Sequence, residues 1–447
     1  MKIIRSISVK FILWYLRFLA NLQLKKIKPF VVGVGGASGK TSLSNFIYLI
    51  LSEKYKVKQG RGKNSETGIP LDILGLTMKN YNKRDWVKVM IFALINVLFD
   101  FRKFDIYIAE MGIDSPLEPK NMSYLLKIIK PDVGVLTNIS YEHSQYFDPL
   151  VDNLDPGKRE EDILELTSSQ ESLLLTTLLP KNYAILNIDD QNIAKLKGQI
   201  TANKISVSSK NKSADFYIDK VQNFIDKFVM WFIFLGKKYK IEIANPLPKH
   251  FAYSFLLAIA ASTTKEVSIE SAISALERKF SLPAGRMTVF KGIKDTVIID
   301  SSYNNATLSP ILDLLDFVYE IGRQRRRVAI IGDMRELGTM SKALHEEVAK
   351  KILKTLDLAI LIGPLTQKYI EPVLKKNKFE SFSYLNFSSA RQTILDTLKP
   401  KDMVLVKGSQ NTLFLERAVE MLLQNTKDSG KLCRRGQFWD KMRQKTL

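Results

Sequence analysis

A glycine-rich segment near the N-terminus constrains the fold of this chain more than any other feature. Gly33-Val-Gly-Gly-Ala-Ser-Gly-Lys-Thr-Ser42 follows an apolar run and opens a helical pattern. Backbone N–H groups at such a strand-to-helix turn, together with the helix dipole, favour phosphate oxygens. The segment therefore predicts a nucleotide phosphate loop, with Lys40 on the β and γ phosphates and the Thr41 hydroxyl on Mg²⁺. Its predicted binding residues are Gly36, Ser38, Gly39, Lys40, Thr41 and Ser42. The alternative is a glycine-rich turn whose lysine is there by chance.

The rest of the chain alternates apolar, β-rich runs with helical patterns, which is typical of parallel strands covered by helices. Before residue 283 the runs predicted as strands are 30–36, 105–112, 132–139 and 183–189, and a hairpin is predicted around Gly236. The alternation restarts after Pro283 and continues to a helical pattern over 411–424. A chain of 447 residues has room for about three domains of roughly 150 residues.

These patterns predict an α/β fold with two main domains and two basic ends. A central nucleotide-binding domain is expected over residues 31–282, and a C-terminal α/β domain of dinucleotide-fold type over 283–424. A basic, apolar N-terminal segment, 1–30, and a basic tail, 425–447, lie outside them. The single cysteine, Cys433, falls in that polar tail. One cysteine allows neither a disulfide framework nor a multi-cysteine zinc site, and it fits a reducing, cytoplasmic setting.

The formal net charge of +21 is concentrated at the two ends of the chain. Residues 1–30 carry seven basic and no acidic side chains, and residues 425–447 carry seven basic and two acidic ones. This distribution indicates a tendency to bind anionic surfaces rather than a fold that reads nucleic acid. We therefore expect no nucleic-acid partner.

Two apolar stretches raise the question of a membrane. Residues 11–24 are interrupted by Arg17 and fall short of the ~20 residues that span a bilayer. They would either lie peripherally on the inner membrane surface, with Trp14, Tyr15 and Phe18 as anchors, or form a helix packed on the body of the protein. The sequence leaves both readings open. The stretch 86–101 is predicted to be a buried or interfacial helix, and no small-residue cleavage site marks a secretory signal.

Several motifs resemble those of the Mur ligase family. The phosphate loop has the family's short form, Gly36-x-x-Gly39-Lys40-Thr41. Asn64-Ser-Glu-Thr-Gly-Ile-Pro70 is similar to a segment of the branch that adds D-alanyl-D-alanine. The remaining motifs, in the family's order, are Ala109-Glu-Met-Gly112, Pro131-Asp-Val-Gly-Val-Leu-Thr-Asn-Ile-Ser-Tyr-Glu-His143, Pro283-Ala-Gly-Arg286, Asp300-Ser-Ser-Tyr-Asn-Asn-Ala306, Gly332-Asp-Met-Arg-Glu-Leu-Gly338 and Val406-Lys-Gly-Ser409. The resemblance runs from residue 31 to residue 424.

This resemblance implies an ATP-dependent, Mg²⁺-requiring peptide ligase that forms ADP. Such an enzyme transfers the γ phosphoryl group of ATP to a carboxylate, and an amine then attacks the acyl phosphate. The branch implies a UDP-muramoyl tripeptide and D-alanyl-D-alanine as substrates, in the peptidoglycan synthesis of the bacterial cell wall. A cytoplasmic monomer is expected.

The resemblance also assigns roles to individual residues. The implied catalytic residues are Lys40, Glu110 and His143. Besides the phosphate loop, the implied nucleotide contacts are Asn138, Arg286 and Asp300, and the implied substrate-binding residues are Asn64, Glu66, Tyr303, Asn304 and Lys407. The implied metal ligands are Thr41, Glu110 and His143. Domain closure is expected to bring Arg286 and Lys407 to the central site. The other two histidines, His250 and His345, can each be helix-surface residues without a chemical role.

Three features depart from the family. The family normally begins with a domain that recognises the UDP-sugar, but here 30 residues precede the predicted nucleotide-binding domain. A carbamoylated lysine commonly bridges the metals, and the matching position, 16 residues before Asn187, is Glu171. Our hypothesis is that the Glu171 carboxylate binds metal directly, since a hard cation needs only an anionic oxygen; a surface glutamate is the alternative. Ser254 replaces an ATP-contacting asparagine.

Other functions stay open at this point. A different Mur-type ligase could act on folate, another amino acid or a lipid-linked precursor, although the lipid-linked amidating relative usually carries a four-cysteine zinc insert. A non-catalytic protein that binds membrane or nucleic acid is the remaining alternative, suggested by the basic ends.

Overall fold

The structure, a computed structural model, describes residues 2–78, 83–99, 103–140, 146–153, 155–303, 308–408 and 412–444. The chain divides into two compact units. The first consists of Met1–Lys220, Met230–Ile241 and Ala252–Phe280, and the second consists of Val221–Val229, Glu242–Phe251 and Ser281–Leu447.

Nine strands of the first 243 residues form one sheet. They are β1 (Phe30–Gly35), β2 (Val57–Gln59), β3 (Ile106–Glu110), β4 (Val133–Leu136), β5 (Tyr183–Asn187), β6 (Asn203–Ser208), β7 (Phe216–Asn223), β8 (Phe228–Phe234) and β9 (Lys237–Ile243). Their order is β2-β3-β1-β4-β5-β6-β7-β8-β9, and the pairs from β2 through β7 are parallel. Every residue of β3 and β4 is buried, as expected for strands covered on both faces.

Ten α-helices are described within residues 2–279. Their bounds are α1 (Lys2–Ile27), α2 (Lys40–Leu51), α3 (Gly68–Ile73), α4 (Lys83–Phe99), α5 (Met122–Ile128), α6 (Pro156–Glu171), α7 (Leu173–Thr176), α8 (Gln191–Lys195), α9 (His250–Thr263) and α10 (Ile269–Lys279). In α10 the pattern follows directly from sequence, because Ser268 caps the first turn and Ile269, Ala272 and Leu276 share the buried face.

The second unit contains a six-stranded sheet. Its strands are β10 (Thr288–Lys291), β11 (Val297–Ser301), β12 (Arg327–Gly332), β13 (Leu358–Ile362), β14 (Ser381–Tyr384) and β15 (Met403–Lys407), in the order β10-β11-β15-β12-β13-β14. Only the β10–β11 pair is antiparallel among these described strands. The helices are α11 (Leu308–Ile321), α12 (Ser341–Thr355), α13 (Pro364–Tyr369), α14 (Glu371–Lys376), α15 (Phe387–Thr397), α16 (Glu416–Leu422) and α17 (Gln437–Gln444).

The predicted α/β fold is confirmed, and the strands predicted before residue 283 lie within a few residues of β1, β3, β4 and β5. The helical pattern over 411–424 corresponds to α16, which begins later, and the stretch 11–24 lies in α1, which begins earlier, at Lys2. Short elements such as β2 and β14 were not predicted, because their residues are only half-buried and carry no clear alternation. The C-terminal region also differs from the expected polar tail. It forms α17, and it buries both Cys433 and Arg434.

The two apolar stretches near the N-terminus both form helices, α1 and α4. They pack together with α3 around a small cluster that includes Leu16, Leu19, Val89 and Ala93. Within the described ranges, no helix has both the length and the apolar character that crossing a bilayer requires.

Candidate active site

The carboxyl ends of three neighbouring strands meet at one edge of the first sheet. β1 lies between β3 and β4, with Val34 paired to Glu110 and Gly35 paired to Leu136. Ligands of open α/β sheets bind outside the carboxyl ends of strands, where the strand order reverses. Ligands of this fold bind at the edge where three features converge: the predicted phosphate loop, Glu110 and the segment after β4.

The loop between β1 and α2 requires glycine at two positions. Gly36 has a φ of 109° and Gly39 a φ of 78°, and L side chains rarely adopt these conformations. A Cβ atom on Gly36 would also lie 2.3 Å from the Thr137 hydroxyl oxygen. Gly39 is the N-cap of α2 and provides no side-chain cap, so the first turn of the helix is suited to an anionic ligand.

Two residues after β4 hold this loop in place. The Asn138 side-chain oxygen accepts hydrogen bonds from the Ser38 amide at 3.0 Å and the Ser38 hydroxyl at 3.2 Å. The Thr137 hydroxyl donates to the Ser38 carbonyl oxygen at 2.6 Å. Sequence reasoning missed Thr137 and gave Asn138 a nucleotide contact. In the structure Asn138 shapes the loop, and direct contact with nucleotide stays a prediction.

The Lys40 side chain folds back over the phosphate loop. Its ammonium group donates to the Gly36 carbonyl oxygen and, at 2.9 Å, to the Ala37 carbonyl oxygen. The positive charge is thus held within the loop whose turn favours phosphate. Ser42, the last predicted loop residue, lies half-buried in the first turn of α2.

Glu110 lies at the end of β3 and is 3% exposed. Its carboxylate accepts from the Thr41 hydroxyl at 3.0 Å and from the Ser44 hydroxyl at 3.1 Å. The Gln59 amide donates to Ser44 at 2.7 Å and so supports the arrangement from β2. Thr41 and Glu110 together present hydroxyl and carboxylate oxygens, which are the ligands that Mg²⁺ prefers. Sequence reasoning missed Ser44 and Gln59, which carry no motif of their own.

Glu171 proves to be buried, at 3% exposure, so the alternative of a surface glutamate is wrong. One carboxylate oxygen accepts a hydrogen bond of 3.0 Å from the Gly36 amide, which places the end of α6 against the phosphate loop. The roles of Glu171 and Glu110 as metal ligands stay predictions. In the described part of the chain, no three His, Cys, Asp or Glu side chains form a metal-binding group, and His143 lies outside the described residues.

Asn64 lies against the end of β3. The Gly112 amide donates to the Asn64 carbonyl oxygen at 3.1 Å, and a Cβ atom on Gly112 would meet the Asn64 side-chain nitrogen at 2.9 Å. Glu66 is half-buried. Burial raises the pKa of Tyr124, and the negative charges of Glu118 and Glu66 add to this, whereas Arg17 opposes it. The structure therefore brings Asn64 against Gly112, two residues after Glu110.

The other predicted site residues belong to the second unit. Asp300 is fully buried at the end of β11, where one of its oxygens accepts from the Ser302 amide at 3.0 Å. Burial raises the pKa of this carboxyl group. Its other oxygen has no hydrogen-bond partner among the described residues. Asp300 thus shapes the turn that leads to Tyr303, and a contact with nucleotide stays a prediction. Asn304 lies outside the described residues.

Two guanidinium groups lie close to the ring of Tyr303. The central carbons of Arg286 and Arg434 are 5.3 Å and 5.0 Å from the centre of its ring, within cation–π range. Arg434 also donates to the carbonyl oxygens of Ser302, at 3.3 Å, and Tyr303. Lys407, at the end of β15, is 2% exposed and donates to the Gly408 carbonyl oxygen at 3.2 Å. Sequence reasoning missed Arg434 because no family motif extends to it.

Two family descriptions match this sequence. The Mur ligase middle domain matches residues 34–262, and the Mur ligase glutamate ligase domain matches residues 285–410. The chain belongs to the Mur ligase family. It is accordingly an ATP-dependent ligase that forms ADP, and both the α/β fold and its relation to this family are confirmed.

Several relatives of this Mur ligase share most of its length. UDP-N-acetylmuramoyl-tripeptide--D-alanyl-D-alanine ligase of Borreliella burgdorferi is 22% identical over 88% of this chain and 75% of its own. The Bacillus subtilis protein of the same name is 23% identical over 92% and 79%. Among solved structures, MurF ligase from Thermotoga maritima in complex with ADP has a TM-score of 0.70 at 21% identity, covering 96% of this chain and 84% of its own. The last likeness shows the fold alone.

The Gly332–Gly338 motif of this Mur ligase has a structural role in the second unit. Asp333 accepts from the amides of Leu365, at 3.0 Å, and Thr366, at 2.8 Å, at the start of α13. His345 accepts from the Met334 amide at 3.2 Å through Nε2, and its Nδ1 lies 2.6 Å from the Ser341 carbonyl oxygen. Burial lowers the pKa of His345, which favours the neutral ring.

His345 and His250, both predicted as possible helix-surface residues, differ in exposure. His345 is fully buried, so its interpretation as a helix-surface residue is wrong; its ring accepts a hydrogen bond from the Met334 amide. His250 is partly exposed at the start of α9, where its Nδ1 lies 3.1 Å from the Asp313 carboxylate. In the first unit, Ser254 lies close to the phosphate loop, 4.0 Å from where a Cβ atom on Gly39 would be.

Proposed function

We propose that this Mur ligase joins D-alanyl-D-alanine to the free carboxylate of a UDP-muramoyl tripeptide in peptidoglycan synthesis. The position of Asn64 carries the proposal. The segment that is similar to the D-alanyl-D-alanine-adding branch lies against Gly112, two residues from Glu110. Relatives from two distant bacteria bear the name of that ligase.

The chemistry begins with activation of a carboxylate, which is a poor electrophile. A carboxylate oxygen of the tripeptide attacks the γ phosphorus of ATP, and ADP leaves with the electrons of the broken P–O bond. Lys40, held in the loop by the Gly36 and Ala37 carbonyl oxygens, neutralises charge on the transferring group. The amine then attacks the acyl carbon, loses a proton and expels phosphate, which leaves the amide.

Mg²⁺ fits the oxygen donors next to the loop. We propose that the Thr41 hydroxyl and the Glu110 carboxylate hold it, and that it supplies further charge neutralisation to the phosphates. Burial of Glu110 and its two hydroxyl donors keep the carboxylate oriented at the end of β3. His143 and Glu171 are proposed as additional ligands.

The second unit contributes the remaining proposed contacts. Arg286 and Asp300 are proposed to contact the nucleotide, and Tyr303, Asn304 and Lys407 to contact substrate. The pairing of Tyr303 with Arg286 supports this, because it holds the ring of one proposed residue beside the guanidinium of another. We propose that the enzyme works in the cytoplasm, because its ATP and peptide substrates are cytoplasmic, and that it works as a monomer.

The test measures phosphate release and product mass with ATP, Mg²⁺ and UDP-muramoyl tripeptide, with and without D-alanyl-D-alanine. Release that requires both substrates, and a product heavier by the dipeptide, is the expected result. Lys40→Ala should abolish release. Lys212→Ala, an exposed lysine outside the phosphate loop, should leave it unchanged.

A different Mur-type substrate is the competing reading. Phosphate release with another carboxylate and amine, such as a folate with glutamate or a lipid-linked precursor, but none with the muramoyl tripeptide, would refute the proposed substrates. It would leave the ligase chemistry of Lys40 and Glu110 in place.

A further inference from the structure

The surface of α1 and α4 is unusually apolar. Twelve of the 23 exposed large apolar side chains in the described part of the chain lie on these two helices. We infer that α1 and α4 form a docking surface for an anionic lipid bilayer, on which the enzyme lies peripherally. This inference does not depend on which substrate the ligase uses.

On α1 the exposed apolar residues form one stripe. Phe11, Trp14, Phe18 and Leu22 follow one another at intervals of three or four, which is the spacing of a single helix face. Each is between 37% and 52% exposed. The rings of Phe11 and Trp14 are 5.8 Å apart, and those of Trp14 and Phe18 are 5.7 Å apart, so the aromatic part of the stripe is continuous.

On α4 the exposed surface is almost entirely apolar. Its exposed apolar side chains are Val87, Ile91, Phe92, Leu94, Ile95, Leu98 and Phe99, the last being 71% exposed. Residues 89–99 contain no charged side chain. Val89 and Ala93 are buried on the other face, so α4 is anchored to the protein by a narrow strip only. A group of seven exposed apolar side chains on one helix is typical of a binding site.

Three hydrogen bonds fix the two helices to each other and to α3. The Tyr15 hydroxyl donates to the Met90 carbonyl oxygen at 3.1 Å, and the Lys26 ammonium donates to the Val97 carbonyl oxygen at 3.0 Å. The Asn96 side chain donates to the Leu74 carbonyl oxygen at 2.8 Å. On α1, Tyr15 follows Trp14 in sequence, and its ring is 6.3 Å from that of Phe11. The apolar faces of α1 and α4 therefore belong to one preorganised surface.

The charge of these two helices indicates which partner binds their apolar surface. α1 has no acidic residue, and Asp85 is the only acidic residue of α4. Lys10, Lys25, Arg84 and Lys88 are exposed on the same two helices. Apolar and aromatic side chains bordered by lysine and arginine match the acyl boundary and the anionic headgroups of a bilayer. A second copy of the chain would instead place like charges opposite each other.

The test is co-sedimentation of the full chain with vesicles. We expect binding to vesicles of phosphatidylglycerol and phosphatidylcholine, little binding to pure phosphatidylcholine, and loss of much of the binding at high salt. The triple variant Phe92→Ser, Ile95→Ser, Leu98→Ser should lower the bound fraction at least about tenfold. Because all three side chains are exposed, the variant should still fold and keep its ATP-dependent activity.

Two control variants make the result specific. Leu235→Ser with Leu179→Ser removes side chains that are 86% and 57% exposed elsewhere on the protein and should leave vesicle binding unchanged. Lys25→Glu with Lys88→Glu should weaken binding to anionic vesicles while preserving the apolar surface. Absence of binding by the native chain, or equal binding by the α4 triple variant, would overturn the inference. So would a dimer that the α4 variant dissociates and that does not bind vesicles.

Discussion

The main-chain amide of Gly36 donates a hydrogen bond of 3.0 Å to the carboxylate of Glu171, and both residues are buried. The contact joins the phosphate loop to the end of α6, across 135 residues of sequence. A buried carboxylate at this position can orient the loop, bind a metal ion or do both.

Variants of Glu171 separate these roles. Glu171→Gln keeps an acceptor for the Gly36 amide but removes the negative charge that the metal hypothesis requires. We expect it to lower turnover about 10- to 100-fold, with nucleotide affinity nearly unchanged. Glu171→Ala should weaken nucleotide binding as well, because the Gly36 amide loses its acceptor. Phosphate release and ADP titration measure the two effects.

Bicarbonate provides the matched control for Glu171. The native enzyme should be indifferent to it, whereas Glu171→Lys should regain activity with bicarbonate if carbamoylation rebuilds the carboxylate. Full turnover by Glu171→Gln, or bicarbonate dependence of the native enzyme, would eliminate the metal hypothesis and leave Glu171 with a structural role.

The ion pair of Arg434 and Glu416 is expected to matter for stability. The two groups are 3.0 Å apart, and their side chains are 1% and 0% exposed. Burial raises the pKa of Glu416 despite the opposing effect of Arg434. Arg434→Met leaves a buried carboxylate without its main partner, which should cost ~3–5 kcal/mol in the free energy of unfolding measured with urea.

Two comparisons control this prediction. Arg435→Ala removes a partly exposed pair with Glu420 and should cost less than ~1 kcal/mol. The double variant Arg434→Met with Glu416→Met should recover most of the loss, because the buried carboxylate is removed together with its partner and Arg443 keeps its ion pair with Asp440. A loss as large for Arg435→Ala, or no recovery in the double variant, would argue against a role specific to the buried pair.

Cys433 should report opening of the C-terminal segment. Burial raises the pKa of its thiol to about 11, and only the thiolate reacts with alkylating reagents. At pH 8 the native protein should stay unmodified, whereas protein in urea should gain one label per chain, which mass spectrometry resolves. Rapid labelling of the native protein at pH 8 would show that the segment is not held as described.

The raised pKa of the Cys433 thiol predicts that the protein becomes less stable in alkali. The unfolded thiol ionises near its ordinary pKa of 9.0, below the folded value of about 11. The unfolded state therefore releases its proton first, so this contribution to stability is present below pH 9 and declines as pH rises to 11. Cys433→Ala should remove that part of the decline. An identical alkaline profile for the variant would contradict the shifted pKa.

The amino-acid sequence by itself determined the family, the α/β fold and the central elements of the site. Short-range signals suffice there: glycines at a strand-to-helix turn predicted the phosphate loop, and alternating apolar runs predicted β1, β3 and β4. Because parallel strands place their carboxyl ends at one edge, the convergence of Lys40, Thr41 and Glu110 also followed from the pattern.

Only the tertiary structure decided the long-range contacts. Gly36 and Glu171 are 135 residues apart, and Arg434 lies 131 residues from the Tyr303 carbonyl that it binds, so no local periodicity could connect them. The exposure of α4 could not be predicted from the sequence either, because an apolar helix has the same sequence pattern whether it contacts a core or solvent. Its neighbours in space, α1 and α3, cover one face and leave the other exposed.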